Sequence, residues 1–160
     1  MAPRPDAGVP GRRSLLLGAA VSGLVALLHV GILFGGAPWY RFFGAGERMA
    51  RLASRGAPAP AVITLAIVIA LATCSIYALS GAGAVRRLPF LRIVLASAAM
   101  VFLGRGVFGI PIVLLVHHPY ANELRGRMTF MIVSSIVSFG LGLCYAVGVT
   151  RRWRTLRASV

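Results

Sequence analysis

Lysine is absent from this chain and acids nearly so. All 17 basic residues are arginine, and the three carboxylates are Asp6, Glu47 and Glu123. The missing lysine reads as codon bias in a GC-rich genome and says nothing about the fold. The missing acids carry more weight: none falls inside a long apolar run, which disfavours a carboxylate-driven proton antiporter. Cysteine is also scarce. Cys74 and Cys144 both sit in apolar runs, with no CxxC or Cys/His spacing, so neither a disulfide framework nor a zinc site is indicated. They read as small hydrophobes. No nucleotide-binding glycine loop, HExxH or GxSxG motif occurs. Charged residues make up 12% of the chain, against roughly 25% in soluble domains.

What fills the chain instead is apolar: 58% hydrophobic residues, with a mean hydropathy of +0.85. Four runs stand out between charges: Arg13 to Arg41, Arg55 to Arg86, Arg92 to His117, broken only by Arg105, and Arg127 to Arg151. Each exceeds the ~20 residues that cross a ~30 Å hydrocarbon layer. Each is apolar on all sides, not along one stripe, so a soluble amphipathic bundle is excluded. Lipid offers no partner to backbone amides, so the spans must be helical. The pattern predicts an all-α bundle of four transmembrane helices at about 14–36, 61–84, 93–116 and 128–150. Together these make one membrane domain (14–150) between an N-terminal tail (1–13) and a basic C-terminal tail (151–160). A net charge of +14 then reflects arginines flanking spans and meeting anionic headgroups, and no nucleic-acid partner is expected.

Gly11-Arg12-Arg13-Ser14-Leu15-Leu16-Leu17 resembles a twin-arginine export signal. The small-residue site that cleavage needs is reduced to Gly35-Gly36-Ala37 followed by Pro38, so the segment reads as an uncleaved first helix. The arginine balance sets the expected orientation. The N-terminal tail, second loop and C-terminal tail carry Arg4, Arg12, Arg13, Arg86, Arg87, Arg92, Arg151, Arg152, Arg154 and Arg157. The first and third loops carry only Arg41, Arg48, Arg51, Arg55, Arg125 and Arg127. Both termini are therefore expected in the cytoplasm. Trp39, Tyr40, Phe42, Phe43, Tyr120 and Trp153 follow span ends and suit the headgroup level.

The first loop predicts a short interfacial helix. Arg48, Arg51 and Arg55 share one face, Ala45, Met49, Leu52 and Ala53 another, and Glu47 lies four residues before Arg51. Gly31 and Gly35 form a GxxxG pair, and Ser134, Ser138, Gly142 and Ala146 a small-residue stripe. Both read as bundle packing before dimerisation. Pro111 should disturb the third span.

Arg105 is the leading candidate for function, being a charge near the middle of a span. At ~1.5 Å rise per residue, Arg105 and Thr73 lie ~18 Å from the loop-side boundary, Ser138 ~15 Å, and His29 and Ser135 ~10 Å. These are expected to share one polar layer, with Glu47 folding back as the partner of Arg105. The candidate ligand-binding set is His29, Glu47, Arg105, Ser135 and Ser138, and the ligand an anionic or carbonyl-bearing group such as a lipid headgroup or quinone. His29 alone is a weak haem ligand, since bis-histidine haem needs facing imidazoles. His117, His118 and Glu123 lack helical metal-ligand spacing. Neither a metal nor a cofactor is expected.

His29, the segment Phe42-Phe43-Gly44-Ala45-Gly46-Glu47 and Arg105 together resemble a family of small four-helix bacterial inner-membrane proteins with no assigned activity. The resemblance spans the first helix to the fourth. It implies an inner-membrane location and brings no catalytic residues with it. Three roles follow, the first non-enzymatic: an accessory subunit, or a binder of lipid or a small hydrophobic ligand, with a membrane-protein partner or a second copy. The others are a redox protein holding haem or quinone near His29 and Arg105, and a small oligomeric transporter.

Overall fold

The computed structural model describes residues 10–116 and 118–157. Arg4, Asp6, His117 and the chain ends at 1–9 and 158–160 lie outside the described residues. The chain is all-helical among them: α1 (Pro10–Phe42), α2 (Glu47–Ser54), α3 (Ala59–Ala82), α4 (Leu91–Leu115), α5 (Pro119–Arg125) and α6 (Met128–Arg151), then a 3-10 turn at Thr155–Arg157. Helices α1, α3, α4 and α6 are each long and apolar enough to cross a membrane, which makes this an integral membrane protein of four spans. The spans pair as α1 with α3 and α4 with α6, and α1 also packs on α6; α3 and α4 meet only lightly.

The boundaries differ from expectation mainly in α1. The helix does not stop at Gly36 but continues to Phe42 across a kink there, where Gly36 takes φ 61° and ψ −150°. That kink turns Trp39 back along its own helix. Its ring lies 3.2 Å from where a Cβ would stand on Gly31 and fills the face of Gly35. The GxxxG pair therefore seats an aromatic ring of the same helix, not a neighbouring span. Helix α4, in contrast, runs continuously through Pro111.

The stripe on α6 does pack between helices. A Cβ on Gly142 would come 2.7 Å from the backbone N of Leu103, and one on Gly106 would come 2.8 Å from the Cα of Phe139. Glycine on each side thus lets α4 and α6 touch through backbone atoms.

One apolar core gathers all four spans at the end where α1 begins and α6 finishes, the terminal end. It contains Leu15 and Ala19 of α1, Ala78 and Ala82 of α3, Leu95 of α4 and Tyr145 of α6, closed by Leu156. Tyr145 is fully buried, stacks on Phe102 at 5.7 Å and shares a 2.9 Å hydrogen bond with Ser22. Ser75 of α3 donates to the Ala19 carbonyl of α1 at 2.8 Å. At the opposite, loop end the core divides. Ile32, Tyr40 and Ala50 form one cluster beneath α2; Val113, Leu124 and Met131 form another beneath α5.

Candidate functional site

The close crossing of α4 on α6 sets the surroundings of Arg105. Its guanidinium runs along α6, and Nη2 donates to Ser134 Oγ at 3.3 Å. Leu115, the last residue of α4, lies ten positions on, or ~15 Å at helical rise. Arg105 itself is exposed. The position a Cβ would take on Gly109 is 3.1 Å from Ser135 Oγ and 3.9 Å from Arg105 Nη1. Gly109 thus brings the serine and the guanidinium to one face. Ser135 is only 3% exposed, and its hydroxyl has no hydrogen-bond partner. A buried hydroxyl usually has one.

The other candidates divide. Ser138, one turn deeper, donates to the Ser134 carbonyl at 2.8 Å. His29 is half-buried on α1, with Nδ1 2.8 Å from the Val25 carbonyl. A carbonyl only accepts, so Nδ1 is the donor. Thr73 faces outward from α3. Among the described residues no hydrogen bond joins His29 or Thr73 to Arg105, Ser135 or Ser138, so the expected single polar layer reduces to the α4–α6 face.

Glu47 does not reach Arg105. It is held by Arg41, whose Nε and Nη2 donate to its two carboxylate oxygens at 2.8 and 3.1 Å. Gly44 and Gly46, at φ 71° and 90°, turn the chain so that the start of α2 returns to the last turn of α1. A partner six residues upstream is met locally, whereas Arg105 lies far down a span. The hydrogen bond from Arg41 is also the main reason the Glu47 carboxyl is held below its ordinary value. Arg105 is therefore a guanidinium with five N–H donors, one of them engaged, and no described carboxylate beside it.

A second polar group closes the loop end. Helix α5 was not expected, although His118-Pro119 is a helix-start signal: Pro at the first position, with the His118 ring accepting from the Tyr120 amide at 3.2 Å. Arg125 caps the neighbouring span by donating to the Val113 and Leu114 carbonyls at 3.0 and 2.6 Å. From α5 and its flank, three bonds reach across to the α1–α2 turn. Tyr120 donates to the Gly44 carbonyl at 3.0 Å, Glu123 accepts from the Glu47 amide at 2.8 Å, and Arg127 donates to the Phe42 carbonyl at 3.3 Å. Burial raises the Tyr120 phenol above its ordinary value, with Glu123 adding to the shift and Arg105 opposing it. No set of three His, Cys, Asp or Glu side chains suited to a metal occurs among the described residues. Cys74 and Cys144 are free and half-buried.

Searches against protein-family models, curated proteins and solved structures find no match to this chain.

Proposed function

We propose that this four-span membrane protein binds the acidic headgroup of a lipid or small amphiphile at Arg105, as a non-enzymatic binder or accessory subunit. One observation carries the reading: a guanidinium lies within a span with a single hydrogen bond, to Ser134, and no carboxylate partner. A charged side chain at the centre of a span costs roughly 2.5–3.5 kcal/mol on insertion scales. A protein carboxylate would offset that cost, but both described acids are engaged at the loop end. A phosphate or carboxylate from outside the chain supplies the charge, and a planar guanidinium suits it bidentately. Ser135 adds a hydroxyl on the same face without a partner of its own.

The arginine balance and the resemblance noted above support a bacterial inner membrane, with both termini cytoplasmic. In that frame α2 and α5 face outward. A reporter fused after Val160 that is active only when exported tests the orientation, and export activity overturns it.

The ligand reading is tested by native mass spectrometry of the full chain from mild detergent. Wild type retains acidic lipid or an acidic amphiphile, and Arg105→Gln loses about tenfold of that retention, the size of one hydrogen bond to a charged group. Equal retention by both proteins overturns the reading. A retained second polypeptide would instead support the accessory-subunit form of it.

A further inference from the structure

Where α5 leans on the α1–α2 turn, a cavity of about 310 Å³ has Arg41, Gly46, Glu47, Glu123 and Arg127 in its walls. Its volume is at the low edge of small-molecule sites, which run from about 300 to 1,000 Å³. That suits a headgroup-sized molecule. The walls carry two guanidiniums and two carboxylates, and they are not equally satisfied. Arg41 and Glu47 pair with each other, the only ion pair among the described residues. Arg127 and Glu123 face the same cavity without pairing. Each is tethered to backbone instead, Arg127 through Nη1 to the Phe42 carbonyl and Glu123 through Oε2 to the Glu47 amide. Arg127 therefore keeps donors, and Glu123 its Oε1, for a third party.

We propose that this cavity binds a zwitterion carrying one phosphate or carboxylate and one primary ammonium. The acid meets Arg127 and the ammonium meets Glu123. Opposite charges held apart on one wall are complementary to a molecule bearing both signs, and either sign alone would leave one wall group uncompensated. The glycines make the approach possible. A Cβ on Gly46 would come 2.9 Å from the Tyr120 ring and 3.1 Å from Glu123 Oε2, so a side chain there would push α5 off the turn. The site lies at the span ends, at the depth of lipid headgroups. Pro38, Trp39, Phe42 and Phe43, which line an apolar recess of about 430 Å³, immediately flank it in the chain. The same chemistry is presented by an ethanolamine phospholipid and by a free amino-phosphate.

Two arms separate these sources. In the first, the full chain in mild detergent is offered equimolar ethanolamine, choline and glycerol phospholipids of matched acyl chains, and retention is read by native mass spectrometry. The ethanolamine lipid is expected to exceed the other two by about tenfold, because choline lacks N–H donors and glycerol lacks the cation. Glu123→Gln should erase the ethanolamine-over-choline preference, and Arg127→Gln should lower retention of all three. The preference should persist in Arg105→Gln, which keeps this site separate from the one proposed above. In the second arm, soluble O-phosphoethanolamine is titrated and thermal stability followed. A rise with the soluble compound but no lipid preference assigns the free molecule. Equal retention of the three lipids together with no response to the soluble compound overturns the proposal, and this wild-type result needs no variant to fold.

Discussion

The two ends of this bundle are built on different physics. At the terminal end one apolar core touches all four spans, and its polar bonds run between helices: Ser22 to Tyr145, Ser75 to Ala19. The arginines there close helix ends. Arg12 and Arg152 both donate to the Ala82 carbonyl at the end of α3, and Arg92 lies 4.5 Å over the Trp153 ring. At the loop end the core has split into an α1–α2 cluster and an α4–α5–α6 cluster, and polar bonds from Tyr120, Glu123 and Arg127 bridge the gap. Close apolar packing around such bonds tolerates little opening. A polar bridge can be exchanged for a ligand or water at small cost. The terminal end therefore holds the fold, and both candidate binding groups lie toward the other end.

The strongest way to break this contrast is to remove bulk from each side. Tyr145→Ala deletes a fully buried ring in the shared core and should cost about 3–5 kcal/mol. The loss is read as destabilisation of all four spans together in detergent unfolding. Met131→Ala removes a side chain that is 3% exposed in the smaller α4–α5–α6 cluster and should cost about 2 kcal/mol. Its effect on hydrogen exchange should be confined to α4, α5 and α6. If Met131→Ala also deprotects α1 and α3 fully, the two ends are one cooperative core and the contrast fails.

A smaller effect is expected where α4 crosses α6. Gly106→Ala places a methyl group against the backbone of Phe139, and overpacking of that kind costs about 1–3 kcal/mol. Gly140→Ala on the same helix pair meets nothing within 4 Å and should leave unfolding unchanged or the fold slightly stabilised, as Ala for Gly in a helix does. Equal behaviour of the two variants would mean that α4 and α6 do not depend on backbone contact. Because the crossing also positions Arg105 beside Ser134, Gly106→Ala should weaken acidic-ligand retention as well.

The spans were legible in the sequence because a membrane imposes one strong rule: long apolar runs must be helices. The short α2 was legible too, from arginines on one face; Arg48, Arg51 and Arg55 are all exposed. What could not be read was rotation of each helix about its axis. Depth along a span follows from counting residues, so Arg105, Thr73 and His29 fall near one level. Their facing does not follow, and Thr73 and His29 point elsewhere. The pairing of Glu47 was misjudged for a related reason. The turn at Gly44 and Gly46, where the chain doubles back to Arg41, packs against Phe130 and Tyr120. Those contacts come from residues more than seventy positions away.

The mildest test of the contrast is pH. The Glu47 carboxyl is held below its ordinary value, chiefly by the hydrogen bond from Arg41 and also by nearby positive charge. A carboxyl with a depressed folded value adds stability above its unfolded value, about 4, and that stability is lost as pH falls through the folded value. Protonation removes the acceptor charge from Arg41 and loosens the start of α2, where the Glu47 amide also donates to Glu123. Exchange protection of α2 amides, corrected for intrinsic rates, should therefore fall as pH drops below about 4, while protection in α6 near Tyr145 stays constant. The core there contains no carboxylate among the described residues and has nothing to protonate in that range. Protection falling in parallel at both ends would show that the polar bridges and the apolar core stand or fall together.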